Sequence, residues 1–304
     1  MVGGATRTKA YLKRHRNERL VALSFLAPNL IGFIALTVLP ILATIYISLT
    51  EWNLLKPPQW LGFDNYLKIF VSKRFLQTLG NTAYYTIASV PVGIILAVFL
   101  AVLMNGPRKK LNTFFRIVYY LPVISSTVAV ALIWKFLYAD DIGLFSYFFS
   151  SIGLTAPKFL TSTQWSMTSV VIMSVWKGLG YNIILVLAGL QGIAPTYYEA
   201  AEIDGANGWD RFWRVTLPML TPTLFFMTIM SVISSFQVFD QTKILTDGGP
   251  GFSSTSIVYY IYNLGFVNMK FGAACTVAVV LFALILLLSM IQWALQKKWV
   301  NYDA

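Results

Sequence analysis

The chain has 304 residues, 57% of them apolar and only 12% charged, with a mean hydropathy of +0.66 and a formal charge of +11 at pH 7. Soluble domains carry roughly 25% charged residues, and a surface of this size needs them. The composition argues against a soluble enzyme, a disordered chain or a disulfide-stapled scaffold, since one cysteine forms no internal bridge and one histidine no histidine cluster.

In chain order, a basic leader (1–20) with Arg7, Lys9, Lys13, Arg14, Arg16 and Arg19 precedes the first apolar run. A helix rises 1.5 Å per residue and needs about 20 apolar residues to cross the bilayer core. Six helices are predicted by this criterion, over 21–48, 83–104, 118–138, 168–190, 221–241 and 272–294. The first run follows a basic start as a signal peptide does, but its length and the lack of a small-x-small cleavage site read as an uncleaved anchor. The loop 49–82 carries Trp52, Trp60, Phe63, Tyr66 and Phe70, which suit an interfacial segment or a docking surface for an outside partner. The remaining spans form a five-helix core over 83–294, and 295–304 is a short tail.

Fourteen of the 23 Lys and Arg residues fall on the side holding both termini and seven on the other; Lys135 and Lys177 lie within spans. The positive-inside rule therefore predicts cytoplasmic termini. With the basic residues explained by topology, no long basic or basic-aromatic tract is left for nucleic acid, so membrane lipid is the expected surroundings.

Few chemistries remain for the polar residues. His15 stands alone in the leader, so a histidine-based metal or haem site is not expected. Cys275 lies in an apolar helix and reads as packing. Gly248-Gly249-Pro250-Gly251 is glycine-rich but lacks the lysine of a phosphate-binding loop, so no nucleotide site is expected on this chain. The helix cores show no carboxylate of the kind an ion-driven carrier uses, nor the residues of an intramembrane enzyme. No catalytic, cofactor or metal residue is assigned.

Lys177 is the exception within the bilayer. An isolated ammonium in lipid is costly, so it is expected to face a polar cavity or a partner subunit, or to snorkel outward. Its neighbours Trp176, Tyr181 and Asn182, with Gln237 from the next span, are candidates for a polyol-lined path, because ring faces and amides suit sugar rings; ordinary helix packing is the alternative. Lys135, three residues from its span end, is expected to snorkel.

Between the fourth and fifth spans, Pro195 suits a first helical turn, Glu199 and Glu202 follow near its positive end, and Gly205 and Gly208 permit a close turn. A short helix along the cytoplasmic surface, then a bend, is predicted; Phe212, Val215 and Pro218 return the chain to the membrane. On periodicity alone this helix is equally an interfacial helix or one shaped for a groove on another protein.

The segment 195–218 resembles the EAA signature of binding-protein-dependent ABC importer permeases. Glu199-Ala200-Ala201 is followed after three residues by Gly205, and then by Val215 and Leu217-Pro218, with valine in place of isoleucine the only departure. Weaker similarities to the carbohydrate-uptake branch, specifically its MalF-like partner, lie in Phe63-Asp64-Asn65-Tyr66, Asn81-Thr82, residues 188–195, and Leu245-Thr246-Asp247-Gly248-Gly249-Pro250 ahead of the tyrosines at 259–262. The large outer insertion of the enteric maltose permease has no counterpart in the short loop 49–82.

The resemblance implies an all-α polytopic membrane protein with six transmembrane helices, in the type I ABC importer transmembrane-domain (MetI-like) fold, in a bacterial-type inner membrane. It implies a homologous second permease subunit, a dimer of ATPase subunits holding ATP and magnesium, and an extracytoplasmic solute-binding protein. Glu199, Ala200, Ala201, Asp204, Gly205, Ala206, Leu217 and Pro218 are implied to form the ATPase-coupling element. Mono- or oligosaccharides are the implied cargo, although related permeases carry glycerol phosphate. A secondary carrier or channel acting without ATPase is the alternative of a different class.

Overall fold

The computed structural model describes residues 21, 23–106 and 109–301, without the side chain of Lys109; the basic leader with His15 and the end of the tail with Asp303 lie outside the described residues. Among the described residues five helices are long and apolar enough to cross a membrane: α1 (Leu23–Ser48), α3 (Lys73–Met104), α7 (Ser166–Gly192), α9 (Gly208–Phe236) and α12 (Phe271–Gln296). A further pair, α4 (Lys109–Ile124) and α5 (Thr127–Leu137), bent by 100°, passes the same test only when its two halves are taken together, and counted as one span it makes six. Shorter helices are α2 (Asp64–Phe70), α6 (Leu144–Ser151), α8 (Pro195–Ile203), α10 (Asp240–Leu245) and α11, which starts at Ile257 and continues to Val267. The strands are a two-residue ladder, β1 (Thr50–Glu51) against β2 (Gln59–Trp60), antiparallel.

The third span is where expectation and structure part most. A single helix over 118–138 is predicted, but the chain turns sharply at Ser125-Ser126. Pro122 has no N–H to give the helix, and the Ser125 hydroxyl donates back to the Leu121 carbonyl at 2.9 Å, so the last turn of α4 is poorly propagated. Ser126 adopts an extended conformation and α5 starts afresh. The second span begins ten residues earlier than predicted, capped by Ser72. The fifth begins at Gly208 rather than 221 and ends at Phe236 rather than 241, so α9 passes straight through Leu217-Pro218.

Pro40 and Pro218 are absorbed by a shared device. Proline removes a helical N–H and its ring crowds the carbonyl four residues back. Ahead of Pro40 and Pro218 the helix widens by one residue, with Leu39 donating to Ile34 and Leu217 to Phe212. The wider turn relieves the crowding and lets the helix run on.

Helix α7 is the axis of the bundle, packing on α3, α4, α9 and α10, while α1 lies against α12. Close approach depends on small residues, as in membrane bundles generally. A Cβ at Gly180 would collide with the Tyr119 carbonyl of α4. Apolar clusters hold each level. Ala97, Ala101, Ile183, Val186, Leu187 and Leu220 pack where α3, α7 and α9 meet, toward the end carrying α8. At the opposite end Trp134, Tyr138, Phe159, Val170 and Leu245 join α5, α7 and α10. Helix α1 buries none of its apolar window within this chain.

In the loop after α1, the Asn65 amide donates to the carbonyls of Ser48 (3.0 Å) and Thr50 (2.9 Å), and the amide N–H of Phe271 donates to the Trp52 carbonyl (2.9 Å). Asn65 and Ile69 face inward, while Phe63, Leu67 and Phe70 are exposed, the arrangement of an interfacial helix.

Candidate functional site: a signature turn and a polar cavity

The signature segment folds as helix, turn, helix. Pro195 occupies the first turn of α8, where its missing N–H costs nothing. At the far end the Gly205 N–H donates to the Glu202 carbonyl (3.0 Å) and the Ala206 N–H to the Ala201 carbonyl (2.9 Å). This is the Schellman arrangement, and it requires the left-handed backbone that Gly205 supplies at φ +79°. One residue past Ala206, the Asn207 side chain caps the next helix, accepting from the N–H groups of Trp209 (2.9 Å) and Asp210 (3.0 Å). One helix ends at Ile203 and the next begins at Gly208, so the turn has little freedom. Arg211 pairs with Glu202 across it (3.6 Å), and the hydroxyls of Tyr198 and Thr216 meet at 3.2 Å.

The outward surface of this turn is mixed. Glu199, Ala200, Asp204 and Gly205 are exposed, and so is the apolar Ile203, at 87%. Ala200, Ala201, Asp204, Gly205, Ala206 and Val215 line a shallow groove of about 440 Å³ between α8 and the start of α9. Leu217 and Pro218 lie one turn further along α9, partly covered. The whole candidate coupling set therefore falls on one end of the molecule.

The second feature is a cavity of about 580 Å³ between α3, α7, α9 and the α4–α5 break, within the range of small-molecule sites (about 300–1,000 Å³). Lys177, Tyr181, Asn182 and Gln237 all line it. Trp176 does not: it turns to the other side of α7, 42% exposed, with its ring 5.4 Å from Trp134. Adjacent positions on a helix point about 100° apart, and the step back from Lys177 carries the Trp176 ring off the cavity wall. Lys177 reaches the broken span instead, and its ammonium donates to the Val123 carbonyl at 3.4 Å. The last carbonyls of a helix lack intrahelical partners and carry its negative end, so a cation is stabilised there.

Several cavity residues are not singled out by the sequence alone. Tyr85, Ser89 and Gly93 line it from α3, Ser174 and Gly178 from α7, and Ser231, Ser234 and Ser235 from α9. Their spacing of three or four residues marks one polar stripe on each apolar helix, a signal present in the sequence. Asp240 also lines the cavity, from outside the cores of the spanning helices, where no carboxylate is expected. The early end of α9 explains this, because Asp240 opens α10 at the cavity rim instead of closing a span.

Beyond the cavity, Phe239 packs on Tyr259 (5.9 Å) and Tyr262 (5.3 Å). The Lys243 ammonium and the Tyr259 hydroxyl both donate to Asp247 Oδ1 at 2.6 Å. The hydrogen bond from Lys243, then that from Tyr259, holds the Asp247 carboxyl below the usual carboxylate range. Burial first, then Asp247, pushes the Tyr259 hydroxyl up.

Apolar crossing helices around a polar cavity, with an ordered helical turn at one end, define a polytopic membrane transport subunit. The family described as binding-protein-dependent transport system inner membrane component matches residues 73–301, and the chain belongs to it. It is a permease of a binding-protein-dependent importer with the expected MetI-like fold. The lactose transport system permease LacF of Rhizobium radiobacter is 34% identical over 296 residues, covering 95% of this chain and 97% of LacF. The trehalose/maltose permease MalF of Thermococcus litoralis is 32% identical over 277 residues, covering 90% of this chain and 92% of MalF. In structure the chain resembles a bacterial ABC transporter involved in import of the acidic polysaccharide alginate, with a TM-score of 0.84, 25% identity, and coverage of 96% of this chain and 100% of that one.

Proposed function

We propose that this chain passes a carbohydrate across the cytoplasmic membrane by alternating access, driven by ATPase subunits that dock on α8 and its turn. One observation carries the reading: the groove beside α8 is lined by residues of the EAA signature, Ala200, Ala201, Gly205 and Val215, at the end of the bundle remote from the rim of the cavity at Asp240. Glu199 on the exposed side of α8 is the contact to the ATPase, and the turn at Gly205 fixes the angle at which force enters α9. The positive-inside balance supports a cytoplasmic location for this end and for both termini.

Sugar permeases among the relatives support a saccharide as cargo. The cavity suits it chemically: serine hydroxyls, the Asn182 and Gln237 amides and the Tyr85 and Tyr181 rings supply hydrogen bonds and ring faces. A homologous permease supplies the other wall, and an extracytoplasmic solute-binding protein delivers the sugar. ATP and magnesium reside on the ATPase subunits, and this chain makes and breaks no bond.

The test is reconstitution of this chain with its partner permease, ATPase and binding protein in liposomes. Uptake requires ATP inside, and Glu199→Lys abolishes stimulated ATP hydrolysis while the permeases still assemble. Uptake that persists without ATP and without partner subunits sinks the reading in favour of a carrier or channel. Thiol labelling of Asp204→Cys in sealed cells checks the orientation separately.

A further inference from the structure

A polar pocket of about 370 Å³ lies at the α8 end of the bundle, apart from the groove and the cavity. Asn105 and Gly106 form its rim after α3, Asn112, Thr113 and Arg116 project from α4, and Gln191 reaches it from the end of α7. The Asn112 amide donates to the Gly106 carbonyl at 2.8 Å and so ties the start of α4 to the end of α3.

Arg116 stands out. Its Nε is fully buried and meets no acceptor among the described residues. A guanidinium has five N–H donors and no acceptor, and a buried donor left unpaired is unfavourable. Among the described residues no acidic side chain lines the pocket. In the sequence Arg108, Lys109 and Lys110 come just ahead of Asn112, three further cations in the same stretch of chain. Arg116 lines the pocket, and a guanidinium there is matched by an anion that accepts hydrogen bonds in its plane, as phosphate does.

The location chooses the source. The pocket opens where α3 ends and α4 starts, and the flanking surfaces of both helices are exposed and apolar: Phe99 and Leu103 on α3, Phe114 and Ile117 on α4. An apolar exterior rising to a cationic polar pocket at the end of a span matches the boundary between acyl chains and headgroups. Basic pockets between crossing helices on the cytoplasmic side are suited to anionic headgroups. We propose that this pocket binds the phosphate of an anionic phospholipid through Arg116, with Asn112 and Gln191 as neutral partners. The inference rests on the cytoplasmic placement of this end proposed above.

The transporter purified with its partner subunits and stripped of lipid is titrated with phosphatidylglycerol, phosphatidylcholine or sodium phosphate, and bound species are counted by native mass spectrometry. Phosphatidylglycerol binds in preference to phosphatidylcholine, and Arg116→Gln weakens it about tenfold or more, the equivalent of a hydrogen bond to a charged group. Arg116→Lys retains part of the preference, and Gln191→Ala, on a different helix, reduces it if Arg116→Gln fails to assemble. Equal binding of the two lipids, or a preference unchanged in both Arg116→Gln and Gln191→Ala, overturns the proposal. Sodium phosphate binding as tightly as phosphatidylglycerol assigns the pocket to a free anion and overturns the lipid. A lipid preference shown by the permease pair alone but lost in the complex with ATPase subunits assigns Arg116 to a protein contact and overturns the lipid as well. Uptake is measured on the same preparations, so a failed lipid preference beside intact ATP-driven uptake counts against the pocket alone.

Discussion

The ammonium of Lys177, midway along α7, donates to the main-chain carbonyl of Val123 at the end of α4, 3.4 Å away. One side chain thus bridges an unbroken helix and the point where its neighbour breaks. The cation meets a carbonyl that the break has left without a helical partner, so each offsets the other's cost in a low-dielectric setting. It also fixes the side chain along the wall of the cavity, where the other acidic or basic residue is Asp240.

Replacing Lys177 by Met removes this bond and leaves Asp240 alone of the two. A hydrogen bond to a charged group contributes about 1.5–3 kcal/mol, and the long separation points to the lower figure. Thermal unfolding in detergent is expected to show that loss, and uptake of acidic saccharides to fall more than uptake of neutral ones.

Gly205→Ala forces a Cβ into a left-handed backbone at φ +79°, at a cost of about 1–2 kcal/mol. The turn loosens without disturbing the apolar core, because a Cβ there meets nothing within 4 Å. Assembly is expected to survive, with ATP hydrolysis less tightly tied to uptake. Gly205→Asn, which tolerates this backbone better, is expected to be milder.

Gly180→Ala drives a methyl group into the Tyr119 carbonyl, an overpacking worth about 1–3 kcal/mol. Gly178→Ala, two residues away, meets nothing within 4 Å and serves as the control. The two melting curves are expected to separate clearly; identical curves would contradict the close α4–α7 contact.

The Asp247 carboxyl is held below the usual range by Lys243 and Tyr259. A depressed carboxylate contributes stability above its unfolded value of about 3.9 and loses it as the pH falls through the folded value. Proteolysis of the loop 247–256 is therefore expected to be flat near neutrality and to accelerate only below about pH 4. Asp247→Asn is expected to cleave faster at neutral pH and to lose the acid step.

The apolar runs make the helices legible in the sequence because each is long and free of charge, and the signature turn is legible because proline, glycine and asparagine each perform a local task there. The break at Ser125-Ser126 is harder to read, since prolines such as Pro122 occur in unbroken helices too, as Pro91 does within α3. Hydropathy also cannot distinguish a lipid-facing position from a cavity-facing one. Trp176 is next to Lys177 along the chain, whereas a 100° step separates their directions on the helix. The serines of α9 are visible at 231, 234 and 235, but only packing against α3 and α7 identifies their stripe as a wall.

The continuity of α9 has a mechanical consequence. Its 29 residues run from the capped turn at Asn207 to Phe236 beside the cavity, a rod of about 43 Å at 1.5 Å per residue. The widened turn at Phe212–Thr216 keeps this rod unbroken across Pro218. Pivoting by about 5° would carry its far tip about 4 Å, on the scale of a methylene-sized contact or more. A small rotation imposed at one face of the membrane thus becomes a lateral displacement near Ser231 and Ser234, with the helix serving as a lever rather than as a chain of relayed contacts.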